Sequence, residues 1–246
     1  MEAAAFLDDL RQKDPEKVKD YVPSQPLFRT LTLNEALPGT KTVYPYEDIL
    51  RMIDKQTSFA AMVCTCKKGI GPNTEGPCKV QGIPRYHCLQ FGKTADYAVE
   101  QKIGDAKRIT REECLEILDA CNKAGLVQNV NNFVDDLQFI CNCCPCCCGI
   151  VKAARALGPQ ASGIVDTTNF IPTVDHDLCT GCGECADKCP VAAISLADDV
   201  ASVNRDQCLG CGFCATVCPV GSISLERITD KRLELGDRKV GFGFGG

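Results

Sequence analysis

The sequence predicts an α+β chain: a C-terminal pair of strand-loop-helix-strand repeats, preceded by a mainly helical cysteine-rich domain and an extended N-terminal arm. Three observations predict it. Twenty of the 246 residues are cysteine, far above ordinary usage. "VDHDLCTGCGECADKCPVAAISL" from Val174 recurs as "VNRDQCLGCGFCATVCPVGSISL" from Val203, an ungapped offset of 29 residues. Between the cysteine groups lie stretches with helical spacing of apolar residues, whereas the chain before Cys64 has no cysteine.

Residues 1–45 read as an arm. "YVPSQPLFRTLTLNEALPGTKTVYPYE" is rich in proline and has one strand-like stretch, a composition that favours extended chain over a packed core. Residues 46–170 form the cysteine-rich domain. A helix is expected from about Tyr46 to Phe59, with Ile49, Leu50 and Ile53 on its apolar side. A second begins at Thr110, whose hydroxyl and Glu113 form a capping-box pair, places Cys114, Leu118 and Cys121 on one face, and stops at Gly125. Cys114 and Cys121 therefore read as small core residues. A third helix, "GIVKAARALGP", starts directly after the six cysteines of "ICNCCPCCCG". Residues 171–230 hold the repeats, each with a helical turn expected after its Cys-Pro, and residues 231–246, ending "GFGFGG", read as a flexible tail.

Each repeat has the form C-x-x-C-x-x-C-x-x-x-C-P. Three closely spaced thiolates wrap one [4Fe-4S] cluster, and the cysteine before proline crosses to the other. The spacing assigns Cys179, Cys182, Cys185 and Cys218 to one cluster, and Cys208, Cys211, Cys214 and Cys189 to the second. Gly181, Gly183, Gly210 and Gly212 let the backbone curl round each cluster and aim amide protons at its sulfurs. A zinc site fits two adjacent triplets badly, since zinc favours separated C-x-x-C pairs. This half is expected to fold as a bacterial ferredoxin-like domain with two [4Fe-4S] clusters.

Ten further cysteines remain once the helix pair is set aside: Cys64, Cys66, Cys78 and Cys88, then the six from Cys141 to Cys148. The first four lie in Gly/Pro-rich polar loops that hold no core of their own, so a metal is the natural ordering agent. Cys141, Cys144 and Cys147 repeat the C-x-x-C-x-x-C register, with a fourth ligand expected from the Cys64–Cys88 group. The leftover Cys143, Cys146 and Cys148 are expected to join the remaining upstream cysteines on another cluster, and one cluster plus a zinc stays open. His87 and His176 are left out as ligands. The helix near Ile150 would direct its unpaired amides at these sulfurs.

The acidic "MEAAAFLDDLRQKDPEK" lacks the basic-then-apolar pattern of a secretory signal. No run of eighteen apolar residues occurs, so no membrane span is expected. A cytoplasmic location follows, where dense cysteine means metal more often than disulfide. The net charge of −5 argues against a nucleic-acid partner. No dinucleotide fingerprint, phosphate loop or catalytic triad is present.

Together "CTC…GPCKV…HCLQFG", "RITREECLEIL…AGLV", "FICNCCPCCCG" and the two repeats resemble a family of anaerobic multi-cluster ferredoxins, the 4Fe-4S dicluster ferredoxin-domain proteins, over residues from about 40 to 228. Where this chain has Cys114 and Cys121 such proteins usually have alanine, and Pro145 stands where glycine is common. The expected function is low-potential single-electron transfer through three to four [4Fe-4S] clusters, to or from an anaerobic oxidoreductase partner. The chain would dock through its N-terminal arm and acidic surface. The alternatives are an unusual catalytic cluster in the upstream domain, fed by the ferredoxin domain, and an iron-sulfur redox sensor.

Overall fold

A computed structural model of the protein describes residues 26, 28–37, 47–68, 78–132 and 137–229. The expected tail, residues 1–25 and 38–45 of the expected arm, Tyr46 at the start of the first expected helix, and the loop at 69–77 lie outside them. In chain order the described elements begin with β1 (Phe28–Thr30), a 3-10 turn (Asn34–Ala36), α1 (Ile49–Asp54), β2 (Phe59–Val63), α2 (Thr65–Lys68), β3 (Tyr86–Phe91) and α3 (Gly92–Glu100). Next come β4 (Lys107–Arg108), α4 (Arg111–Lys123), β5 (Val127–Asn131), β6 (Phe139–Cys143), α5 (Gly149–Leu157), α6 (Pro159–Ser162) and β7 (Val165–Asp166). The C-terminal repeats supply β8 (Phe170–Val174), α7 (Glu184–Asp187), β9 (Ile194–Ala197), β10 (Val200–Val203), α8 (Phe213–Val217) and β11 (Ile223–Arg227).

The upstream region is built on a sheet rather than being mainly helical. Its seven described strands run in the order β4-β2-β3-β6-β5-β1-β7, antiparallel except where β1 meets β7. The strands are short and their patterning is disguised. β5, "VQNVN", is buried at every position, and its amides are used internally: Thr30 Oγ1 donates to Asn129 Oδ1 at 2.9 Å and the Gln138 backbone N–H to Asn131 Oδ1 at 2.9 Å. Such pairing offsets part of the cost of burying polar groups. β1, in the region expected to be an arm, is sewn between β5 and β7.

Alternation along the central strands sorts side chains to two faces. Leu89, Phe91, Ile140 and Val130 join Ile49, Met52, Ile53, Cys114 and Leu118 in one apolar core beneath α1 and α4. α4 carries the capping box at Thr110 and Glu113 and buries Cys114, Leu118 and Cys121, as its sequence predicts. α1 is shorter than expected. It starts where the Asp48 carboxylate accepts from the Leu50 and Arg51 amides, and Met52, not Leu50, completes its buried face, because Leu50 lies outward at 41% exposure.

The repeats close on each other by pseudo-twofold pairing: β8 with β11 and β9 with β10, both antiparallel. The helices α7 and α8 precede the Cys-Pro pairs instead of following them. Gly183 and Gly212, at φ +82° and +86°, open each helix inside the cysteine triplet. Proline holds the residue before it extended, and Cys218 accordingly sits at φ −70°, ψ 112°.

Hydrogen bonds stitch the two halves together. The Leu33 N–H donates to Cys211 O at 2.9 Å, Thr32 Oγ1 to Gly210 O at 2.9 Å, and Gln207 Nε2 to Ala154 O at 2.8 Å. Buried Glu47 accepts from Asn169 Nδ2 and pairs with Arg227, whose guanidinium lies over the Phe170 ring.

Candidate metal centres

Eighteen of the twenty cysteines fall into four groups, each placed by different elements. In the first, the loop after β8 brings Cys179, Cys182 and Cys185 round a cleft whose wall also includes Cys218, Gly181, Gly183 and Ser222. The cross-over of Cys218 from the second repeat is thus present in the geometry. Ser222 N–H and hydroxyl lie 3.3 and 3.2 Å from Cys218 Sγ, and amides of Ala201 and Gly181 hold the Cys179 thiol below its ordinary value. Cys182 is exposed.

In the second group, burial pushes the Cys208 thiol up to about 11 and the Cys214 thiol to about 12, and the neighbouring Cys189 adds to both shifts. Cys211 is pushed up by burial as well, with Cys214, Cys208 and Cys189 contributing. Cys189, from the first repeat, therefore lies with the second triplet. Amide N–H groups of Gly210 and Ala193 point at Cys208 Sγ and Cys189 Sγ, at 3.4 and 3.1 Å. Gly210 is at φ +75°, and a Cβ there would overlap Thr168 Oγ1 and the Phe170 carbonyl. An all-thiol donor set, amides aimed at sulfur and glycines where the wrapping loops run closest fit an iron-sulfur cluster in each site.

The third group has six thiols. Cys88 on β3 and Cys141 on β6 are register partners, and Cys141 and Cys143 lie on the same face of β6, turned from the core under α4. Hydrogen bonding runs from Cys88 to Cys141, Cys143, Cys148, Cys66 and Cys64 in that order. Along this chain the Cys141 and Cys148 thiols are raised, chiefly by hydrogen bonding to Cys143, whereas Cys143 and Cys66 are pulled low, Cys143 chiefly by Cys141 and Cys66 chiefly by Cys148. The Gly149 N–H at the start of α5 also bonds Cys66. The first turn of the helix thus faces the group, as its sequence position predicts.

The fourth group is compact. Cys78, Cys144, Cys146 and Cys147 bring their sulfurs within 4.8 Å of one another. They sit at the end of α4 in an apolar setting that includes Cys121, Leu126, Val80 and Ile83.

Residues 172–225 match the family model of the 4Fe-4S dicluster domain. The chain is 63% identical over 30 residues to a protein of Methanosarcina thermophila named "Probable ferredoxin", a stretch that is 12% of this chain and 52% of that one. It is 40% identical over 50 residues to an iron-sulfur component of the CoB-CoM heterodisulfide reductase of Methanopyrus kandleri, covering 20% of this chain and 8% of that protein. The chain spans about half the length of the first relative and less than a tenth of the second. This is an iron-sulfur protein.

Within the iron-sulfur protein the upstream register differs from the one the sequence suggests. Cys144 and Cys147 stand together, but with Cys146 and Cys78, while Cys141 belongs with Cys88 and Cys143. The cause is a change of conformation inside the run. Residues 139–143 are strand, with period two, and Pro145–Cys147 form a tight turn closed by the Cys148 N–H to Cys144 O at 3.2 Å. Cys143 and Cys146, left over from the triplet, fall in different thiol groups, Cys143 with Cys141 and Cys148, and Cys146 with Cys144. The only sequence signal for that was proline at 145. Buried His87 has Nδ1 2.7 Å from Pro84 O, His176 is exposed, and Cys114 packs in the core with its thiol pushed up to about 12 by burial.

Proposed function

We propose that the protein carries single electrons between a low-potential donor and an oxidoreductase partner, using [4Fe-4S] clusters in the two C-terminal sites and a third on the six-thiol group. Iron-sulfur clusters, when bound, accept and return one electron at a time. The observation that carries the reading is a shared interior: Cys189, Cys208 and Cys211 of the second site pack in one apolar cluster with Cys141, Cys143 and Cys148 of the six-thiol group, around Leu209, Val151 and Phe213. Cys185, Cys214, Cys189 and Cys218 in turn share a second apolar cluster between the two C-terminal sites. Three groups thus follow one another through shared apolar packing.

The first site is the accessible end. Cys182 is exposed, and so are Leu178, Leu196 and Val220 around it. Asp175, Asp177, Glu184, Asp187, Asp198 and Asp199 form an exposed acidic rim, which suits a basic patch on a redox partner. The second site is covered instead by residues 31–36, so docking through the described part of the N-terminal segment is not part of this reading. We place the protein in the cytoplasm, and no helix among the described residues is long and apolar enough to cross a membrane.

Anaerobic purification with native partners, followed by iron analysis and redox titration, tests the proposal. The expected yield is about twelve irons per chain, all reducible by a low-potential donor. Eight irons or fewer, or a third cluster that no donor reduces, would remove the relay. A second reading rests on the two thiols in excess of the four that a cubane needs: the six-thiol group holds an unusual catalytic cluster. Mössbauer spectra showing only ordinary four-thiolate cubanes would sink it.

A further inference from the structure

The four thiols Cys78, Cys144, Cys146 and Cys147 are set at a different scale from a cluster site. Cys78 Sγ lies 3.7 Å from Cys144 Sγ and 3.8 Å from Cys146 Sγ, Cys144 and Cys146 are 3.5 Å apart, and Cys146 and Cys147 are 3.6 Å apart. A tetrahedral ion with metal-sulfur bonds of about 2.3 Å spaces its four sulfurs about 3.8 Å apart, by the geometry of the tetrahedron alone. In a cubane each thiolate is bound to its own iron at a separate corner, which spreads the four sulfurs to roughly 6 Å. The observed spacing has room for one atom at its centre and not for four irons.

We propose that these four cysteines form a mononuclear tetrahedral site for one thiophilic divalent ion, zinc or ferrous iron, separate from the iron-sulfur clusters. The donor set suits such ions, because four thiolates are soft ligands and, among the described residues, no carboxylate or imidazole belongs to the group. The surroundings suit a closed structural site rather than a catalytic one: all four positions around the ion are filled by protein sulfur. Cys121, Leu126, Val80, Ile83, Ile117 and Ala124 enclose the sulfurs, so the helix cysteine that looked merely structural helps to keep water out.

The site also has a mechanical task. Residues 78–85 precede β3 and form neither helix nor strand. Cys78 ties them to the Pro145–Cys147 turn, at the far end of the same strand pair that carries Cys88 and Cys141. One ion therefore fixes both approaches to the six-thiol group.

The whole chain, purified anaerobically, is analysed for zinc and iron and by X-ray absorption at both metal edges. The expected result is one ion per chain, in addition to cluster iron, with four sulfur neighbours at about 2.3 Å and no iron neighbour. A zinc-edge signal identifies zinc; a high-spin ferric EPR signal after mild oxidation identifies mononuclear iron. Cys146→Ser and Cys78→Ser should each lose that ion while the C-terminal cluster EPR signals persist. Loss of about four irons from Cys146→Ser, with their Mössbauer signature that of a cubane, would overturn the proposal. Should the variants fail to fold, the absorption data on the unaltered chain decide: an absence of any mononuclear four-sulfur ion, with about sixteen cluster irons per chain, overturns it equally.

Discussion

Cys88 and Cys141 stand directly opposite one another on adjacent antiparallel strands, so two thiols that are 53 residues apart in sequence are fixed by backbone pairing before any metal arrives. Opposed residues of such a pair have their Cβ atoms about 5 Å apart, which preorganises one edge of the six-thiol group. Cys141→Ser should therefore cost about four irons per chain with the two C-terminal cluster signals intact, as read by iron analysis and EPR. Full iron retention would take Cys141 out of the ligand set.

Gly210→Ala tests the second C-terminal site. The added methyl would collide with Thr168 Oγ1 and the Phe170 carbonyl at a backbone φ of +75°. An expected destabilisation of at least about 2 kcal/mol combines the strain of that φ with overpacking. Thermal unfolding should show it. EPR should show loss of the second cluster before the first, because Gly210 lies in the loop wrapped around the second site alone.

The seam between the halves depends on Glu47. Its carboxylate is buried against Asn169 and Arg227, and Glu47→Ala would leave the guanidinium, only 19% exposed, without its counter-charge. A loss of about 3 kcal/mol is expected. Changing Arg227→Met in the same chain should recover part of it, measurable by denaturant unfolding of the metal-loaded protein.

Cys114 gives a pH signature. Its thiol is held at about 12 in the fold against 9.0 when unperturbed, chiefly by burial. The folded state thus favours the protonated form. The contribution of Cys114 is complete below pH 9 and is lost as pH rises from 9 towards 12, with a slope of up to about 1.4 kcal/mol per pH unit. Cys114→Ala should be less stable at pH 8 by about 1 kcal/mol from lost packing, and should show a shallower alkaline decline than the unaltered chain. Parallel slopes would contradict this.

The legible parts of the sequence were those where chemistry and spacing coincide. Thr110 with Glu113 marks α4, and the repeated triplets with their Cys-Pro mark both C-terminal groups, including the exchange of Cys189 and Cys218. The seven-stranded sheet was illegible because β5 pairs polar amides internally instead of alternating apolar and polar positions, and because β1 and β7 are too short to show a period. The grouping of Cys141 to Cys148 is hidden for a related reason. A period of three does not hold for residues that change from strand to turn at Cys144, so the groups are set by conformation and not by spacing.

Residues 31–36 cover the loop of Gly210 and Cys211, yet they are synthesised some 175 residues earlier. As the chain leaves the ribosome from its N-terminal end, this cover exists long before there is anything for it to cover, and β1 must wait for both β5 and β7 to become part of a sheet. Pairings of such long sequence separation form late in folding. The cover of the second site therefore closes only after the C-terminal repeats have been synthesised.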